Sequence, residues 1–517
     1  MSKEFALPSL SAIEREGRPH LARPLGETKP ELLMVNVPCG WPPESPAEKD
    51  EFYLHRSWEE PPHGLYRVGV TAREKYGHPV MFFDAHKLGL SLTEIDQNLR
   101  AIQPKSVGLS FTSVNAPEAQ AIAQLANGLG IPVILGGVDP TLNPYRALQT
   151  IEGAWAAVRG HGEVVIHPLL ESLKAESPLE LPGVYYPHRL SGNGFSRTDY
   201  APQLRPDEIP LVNQTIYAEK PLSRFRTLVF GESREITQWD TYLSSGCAFE
   251  CSFCASSALN GRVPKFMVPS NERIISEIQL ARQCGADAFH FSDDNILVNR
   301  HQLVSLHKAL GEADLLGKFV WKGLVRISTL EDLVYGKSGA ETEEFLERLV
   351  ETGCYSLAVG FESANKEILT RVHKDYDLAR AEGLVRLLNK HKIHVKGFFI
   401  FGFPGETWEQ MQETRAFVFR LQAAGMNKAS FFQFKPYDGT RETNLLSQQQ
   451  PQLARLLADQ RFITLDGAAS LSGLAQYKAV FHDRFLPDDW PSVAQVPNAD
   501  VRNLILQLYR EFDESEI

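Results

Sequence analysis

From position 32 onward, short apolar runs alternate with longer stretches whose apolar residues recur at helical spacing. Leu32-Leu33-Met34-Val35-Asn36-Val37 reads as a buried strand. A helix near Leu65–Tyr76, a strand at Val80–Phe83 and a helix over Ser91–Ala101 follow. Next come a strand at Ser106–Ser110, a helix at Pro117–Leu129 and a strand at Val133–Leu135 that ends in Gly136-Gly137. A last strand, Ala156–Val158, runs into Arg159-Gly160-His161-Gly162-Glu163. This alternation predicts an α/β domain over residues 31–172, a doubly wound parallel sheet that takes ligands at the carboxyl ends of its strands. Residues 1–30 form an N-terminal extension ahead of it.

Over residues 173–235 prolines recur and periodicity is lost, which predicts an extended connector. A second alternating region spans 236–442. Its predicted strands are Thr241–Ser245, Ala288–Ser292, Phe319–Ile327, Ser356–Gly360, Val395–Phe401 and Ala429–Phe434, with helices such as Asn271–Cys284 and Thr342–Thr352 between them. Six β/α units make a partial (β/α)6 barrel, with functional residues at the strand ends. Residues 443–517 read as a helical C-terminal region.

Composition adds exclusions. The 517 residues are 43% hydrophobic and 23% charged, and 64 acidic against 53 basic side chains give a net charge of −11. No broad phosphate-binding surface is expected, hence no nucleic-acid partner. Met1–Arg23 has no apolar core of signal-peptide length, and no stretch approaches a membrane span, so integral membrane association is not expected.

Six cysteines make no disulfide framework in a chain of this size. Cys39, Cys284 and Cys354 are scattered and read as buried thiols, whereas Cys247, Cys251 and Cys254 crowd into Ser245-Gly246-Cys247-Ala248-Phe249-Glu250-Cys251-Ser252-Phe253-Cys254. Thiolates so closely spaced can converge on one iron–sulfur centre if the loop wraps around it. Zinc needs a fourth ligand, for which Cys284 is poorly placed. Thiolates meant for metal must stay reduced, which points to the cytoplasm.

The spacing C-x3-C-x-aromatic-C after a first strand resembles the signature of radical S-adenosylmethionine (SAM) enzymes. Three later segments resemble that family's motifs in order: Gly360-Phe361-Glu362-Ser363, Gly397-Phe398-Phe399-Ile400-Phe401-Gly402-Phe403-Pro404-Gly405-Glu406-Thr407 and Pro436-Tyr437-Asp438-Gly439-Thr440. The resemblance implies a [4Fe–4S] cluster on the three cysteines, with one iron left for SAM. It also implies SAM contacts. Phe253 would lie beside the adenine and Gly402 would let the backbone approach it. Glu362 or Ser363 would bond the ribose, and Arg326 would clamp the methionine carboxylate. The family's glycine–glycine–glutamate turn is absent. Ser292-Asp293-Asp294-Asn295 stands there, offering Asp293 or Asp294 to the methionine ammonium.

The amino-terminal domain resembles the cobalamin-binding domain that precedes many such enzymes, through Val107–Thr112, Leu135–Thr141 and Arg159–Glu163. The cobalamin contacts it implies are Ser110, Thr112, Gly136, Gly137, Gly160 and Glu163. Asp84-Ala85-His86-Lys87-Leu88-Gly89 matches the D-x-H-x-x-G pattern that supplies a lower cobalt ligand elsewhere, but it follows the second strand rather than the first. His86 is therefore read as a loop histidine.

Together these resemblances imply a cobalamin-dependent radical SAM enzyme. The expected reaction is methyl transfer to an unactivated carbon of a small-molecule substrate, using a 5′-deoxyadenosyl radical and methylcobalamin. An external electron donor such as flavodoxin or ferredoxin is expected. The alternatives are cyclisation or rearrangement without net methylation and, from another class, a non-catalytic redox sensor.

Overall fold

A computed structural model describes residues 29–38, 41, 62–112, 115–187, 190, 200–214, 222–259, 266–297, 300–336, 339–449, 486 and 490–514. Residues 1–28, Cys39 and residues 450–485 of the expected helical tail lie outside the described residues. The chain divides into two compact units, the first mainly up to Asp199 and the second mainly from Tyr200 onward.

The first unit is built on one sheet. Its strands are β1 (Leu32–Asn36), β2 (Val80–Phe83), β3 (Val107–Ser110), β4 (Val133–Gly136), β5 (Ala156–Val158) and β6 (Val184–Tyr185), in the order β2-β1-β3-β4-β5-β6. All pair in parallel except β6, which runs antiparallel to β5. Helices cover both faces, so the strands bury residues of both parities, and Leu33, Val35, Leu109, Val133 and Leu135 join Ile95, Leu99 and Ile122 in one core. The chain steps from β1 to β2 on one side and to β3 on the other, which places the topological switch point between β1 and β3. Helix Leu92–Ile102 starts where the pattern places it, because Ser91 and Glu94 close a reciprocal capping box. Helix His63–Val70 passes directly into a π-helical turn, Thr71–Lys75, a feature the hydrophobic pattern does not encode.

The second unit holds a seven-stranded sheet in the order β15-β14-β13-β12-β11-β8-β7. The strands are β7 (Ser223–Val229), β8 (Glu232–Thr241), β11 (Ala288–Phe291), β12 (Val320–Arg326), β13 (Cys354–Glu362), β14 (His394–Phe401) and β15 (Lys428–Gln433). From β8 to β15 every pairing is parallel, giving the six strands of a partial barrel. A two-stranded ribbon, β9 (Ser245–Gly246) with β10 (Phe266–Met267), flanks the cysteine loop.

Two expectations are corrected here. The first barrel strand is Glu232–Thr241, not Thr241–Ser245; Trp239 and Ile236 of that earlier stretch are buried on opposite faces, in two different apolar clusters. The connector is also not featureless. Its last part forms β7, an antiparallel hairpin with β8 in which Val229 pairs with Glu232 across Phe230-Gly231. Both turn residues have positive φ, 51° and 84°, as a two-residue hairpin turn requires. Phenylalanine in place of the usual asparagine hides this turn in the sequence.

The C-terminal helix Asn498–Glu514 docks on the sheet through Val501, Leu504, Ile505, Leu508, Tyr509 and Phe512. The Tyr509 hydroxyl accepts from the Phe431 amide at 3.0 Å and donates to the Phe431 carbonyl at 3.0 Å. It thereby satisfies the otherwise open edge of β15.

Candidate cofactor sites

The cysteine loop leaves β8 and is held at its backbone. Asp293, at the end of β11, accepts from the Leu243 amide at 2.9 Å and from the Ser244 hydroxyl. Gly246 turns the chain at φ 80°. Ser252, between two of the cysteines, is fixed three ways. Its amide donates to the Val372 carbonyl (3.1 Å), its carbonyl accepts from the Glu442 amide (3.0 Å), and its hydroxyl donates to Glu442 Oε2 (2.8 Å). The Cys254 amide donates to the Cys251 carbonyl, closing a tight turn. With Ser252 pinned between them, Cys247, Cys251 and Cys254 are half-buried thiols not joined in disulfides.

The donor set suits a cluster. The three sulfurs are not among the described groups whose ligand atoms converge within 4.8 Å. A single zinc with bonds of about 2.3 Å would need closer sulfurs. Cys284 sits at the far end of its helix, where its thiol donates to Asn213 Oδ1 at 3.6 Å. Burial pushes the Cys247 thiol up to about 11 and raises that of Cys254. Both therefore stay protonated at neutral pH until a metal displaces the proton.

Arg326, ending β12, reaches over this loop. Its Nη1 lies 2.6 Å from the Cys251 sulfur, its Nη2 donates to the His373 carbonyl at 2.7 Å, and its guanidinium lies 4.5 Å from the Phe249 ring centroid. Asp294 is solvent-exposed and close enough to Cys247 and Cys254 to act on both electrostatically. Phe253 meets Phe403 edge to face at 5.6 Å, which brings the cysteine loop against the turn after β14. In that turn Gly402 has φ 82°, and its amide and that of Phe403 both donate to Glu406 Oε2, at 2.7 and 2.9 Å.

Three expected SAM contacts are engaged internally instead. Asp293 is 2% exposed, and both its oxygens hold the first strand's exit. Ser363 is fully buried; its Oγ lies 3.2 Å from Thr414 Oγ1 and accepts from the Asn365 amide. Glu362 sits at φ 65° on a bulge of β13 and pairs with Lys374 at 2.6 Å, both side chains under 10% exposed. These positions fit a scaffold for the site better than direct contact with a ligand.

The segment Val372-His373-Lys374 was not singled out by sequence. It contacts Ser252, Arg326 and Glu362 in turn, and His373 Nδ1 lies 3.3 Å from the Glu250 carbonyl. No spacing rule marks it, because its role rests mostly on backbone carbonyls.

In the first unit, Ser110, Thr112, Gly136, Gly137 and Gly160 lie at or just beyond the carboxyl ends of β3, β4 and β5. Asn115 ties this edge together: its amide nitrogen donates to the Val37 carbonyl (2.9 Å) and its oxygen accepts from Thr112 N (2.8 Å). Among the described residues, a Cβ on Gly136 would meet only the Leu109 carbonyl, at 3.9 Å, so the backbone there faces an open cradle. A Cβ on Gly137 would come within 2.7 Å of the Phe111 amide nitrogen. Glu163 departs from expectation. It is buried and pairs with Arg67 at 3.1 Å, joining helix Gly162–Lys174 to helix His63–Val70. His86 is a half-buried loop residue whose amide donates to the Asn36 carbonyl.

Residues 241–418 match the family model described as the Radical SAM superfamily. An uncharacterized methyltransferase of Pyrococcus horikoshii is 26% identical, over 74% of this chain and 77% of its own length. The anaerobic magnesium-protoporphyrin IX monomethyl ester cyclase of Cereibacter sphaeroides is 24% identical, over 64% of this chain and 52% of its own. Among solved structures, the radical SAM methyltransferase TsrM of Kitasatospora setae, with cobalamin and a [4Fe–4S] cluster bound, superposes with a TM-score of 0.59. That match has 18% identity and covers 93% of this chain and 88% of the other.

Proposed function

From its place among the cobalamin-dependent radical SAM enzymes, we propose that this chain is a methyltransferase acting on an unactivated carbon of a small molecule. The observation that carries this reading is the pairing of a three-cysteine loop with a glycine-lined sheet edge in a separate unit ahead of it. The cluster supplies an electron, SAM supplies a carbon radical and methyl groups, and cobalamin supplies a methyl carrier.

The protein's own groups do the positioning. Cys247, Cys251 and Cys254 hold the cluster and leave one corner for SAM. Arg326, rather than resting on Cys251, clamps the methionine carboxylate once the sulfur is metal-bound, since a planar fork matches a carboxylate bidentately. Asp294, exposed beside the cysteines, takes the ammonium in place of Asp293. Phe253 and the Gly402-Phe403 turn form the apolar wall against which the adenine lies. Glu362 and Ser363 shape the turn from beneath. In the first unit, Ser110, Thr112, Gly136, Gly137 and Gly160 receive the corrin, and His86 is not a cobalt ligand. A flavodoxin- or ferredoxin-type donor provides the electron, in the cytoplasm. Among the described residues no helix is long and apolar enough to cross a membrane.

The test needs no knowledge of the substrate. Anaerobic protein with reduced cobalamin and methyl-deuterated SAM should release S-adenosylhomocysteine and carry label in the cobalamin fraction. Cleavage to 5′-deoxyadenosine without any such label would favour the second reading, a cyclisation or rearrangement, to which the likeness to the cyclase points. Once a substrate is known, a product heavier by one methylene unit decides for methylation.

A further inference from the structure

At the opposite end of the first sheet from the glycine-lined edge, three side chains converge that none of the above uses. We propose that His78, His167 and Glu171 form a binding site for a divalent first-row transition metal, with Zn2+ the ion it suits best. Their ligand atoms all lie within 4.8 Å of one another. His167 and Glu171 are four residues apart on helix Gly162–Lys174, so both project from one helix face. His78 immediately precedes β2 and is buried.

The hydrogen bonds fix which nitrogen offers a lone pair. His78 Nδ1 lies 3.1 Å from Glu31 Oε1. A carboxylate only accepts, so Nδ1 carries the proton and Nε2 is left as a donor atom for metal. That Nε2 lies 2.8 Å from His167 Nδ1. An imidazole whose far nitrogen donates to a carboxylate is the usual form of a metal-ligating histidine. The rings are also held in place. Tyr76 stacks on His167 at 4.6 Å with the planes 8° apart. The π-helical turn ahead of it sets Tyr76 and His78, with the His78 amide donating to the Ala72 carbonyl. Such turns recur at functional positions.

Charge favours a dication. Two carboxylates, Glu31 and Glu171, face a single ammonium, Lys174, which lies 2.8 and 2.7 Å from them. With neutral imidazoles the group carries one net negative charge. On binding, the metal takes the place of the proton on His167 Nδ1 and the ring takes up a proton on Nε2 in exchange with solvent, so the imidazole stays neutral, with Lys174 remaining on Glu31. The two nitrogens part to roughly 3.3 Å, as Zn–N bonds of about 2.0–2.1 Å require. Three protein ligands leave a fourth position for water.

The test is equilibrium dialysis of the cluster- and cobalamin-loaded protein against micromolar Zn2+, with bound zinc counted by mass spectrometry. The intact protein should take up one equivalent more than His167→Ala or His78→Ala, whose affinity at this site falls at least 100-fold, while His86→Ala matches the intact protein. Zinc should raise the melting temperature of the intact protein and leave that of His167→Ala unmoved. His167 is only half-buried, so its variant decides the matter even if His78→Ala does not fold. Equal zinc uptake by the intact protein and His167→Ala would overturn the proposal, and so would an equal shift in melting temperature.

Discussion

Adjacent glycines at the end of β4 should answer differently to the same substitution. Gly137 has φ 96°, where an L side chain costs about 1–3 kcal/mol. Its new Cβ would lie 2.7 Å from both the amide nitrogen and the carbonyl oxygen of Phe111. Neither atom can swing away. The Phe111 amide donates to the Gly136 carbonyl and its carbonyl accepts from the Asp139 amide, each at 3.2 Å. Overpacking against such fixed atoms adds about 1–3 kcal/mol. Gly137→Ala should therefore destabilise the first unit by roughly 2–5 kcal/mol, lowering its melting temperature by about 5–15 °C. Gly136→Ala meets nothing among the described residues nearer than 3.9 Å and should melt within about 1 kcal/mol of the unmodified protein. Its methyl group instead occupies the cradle proposed for the corrin, so cobalamin affinity should drop at least tenfold. Differential scanning calorimetry and equilibrium dialysis with hydroxocobalamin measure the two effects. A Gly136→Ala protein that binds cobalamin normally would refute the placement of the corrin on this edge. A Gly137→Ala protein of unchanged stability would refute the steric argument.

Replacing Lys374 by Met should cost about 3–5 kcal/mol, because Glu362 then stays buried with no counter-charge. The double variant Glu362→Gln/Lys374→Met should recover most of that loss in urea unfolding, and no recovery would contradict the pairing. Glu406 is fully buried, and burial pushes its carboxyl up to about 7. The folded state thus binds the proton more tightly than the unfolded chain, and stability falls as pH rises from about 4.5 through 7. The loss is on the order of 3 kcal/mol for this group, so Glu406→Gln should flatten the melting-temperature profile between pH 5 and 7.5; unchanged slopes would count against it. His86→Ala should leave the spectrum of bound cobalamin unaltered, and a clear shift would identify His86 as a cobalt ligand.

Much of the fold is legible because both sheets are mainly parallel with helices between successive strands, so the strands appear as short apolar runs. The first strand of the barrel is misplaced for a related reason. Glu232–Thr241 begins in four exposed residues, and its apolar content starts only at Ile236. The C-terminal region reads as helical, and Val501, Leu504, Ile505, Leu508, Tyr509 and Phe512 recur at helical spacing within Asn498–Glu514, but nothing local says which surface they cover. At the candidate sites, residue type announces the cysteines but not the division of labour around them. Asp293 and Asp294 are chemically alike, and only burial separates the one that braces Leu243 from the one that faces outward. Glu163 carries the right motif, yet the close approach of Gly162 to Val68, 2.9 Å for an added Cβ, turns it into a helix-packing ion pair with Arg67.

If three cysteines hold a four-iron cluster whose remaining corner binds SAM, the spectrum of the cluster must respond to SAM. Electron paramagnetic resonance of anaerobically reconstituted, reduced protein tests it directly, with and without SAM. The expected result is a [4Fe–4S]+ signal whose g-values move when SAM is added and which is lost in Cys251→Ala. A cluster signal that SAM leaves unmoved, or one that survives in Cys251→Ala, would contradict it.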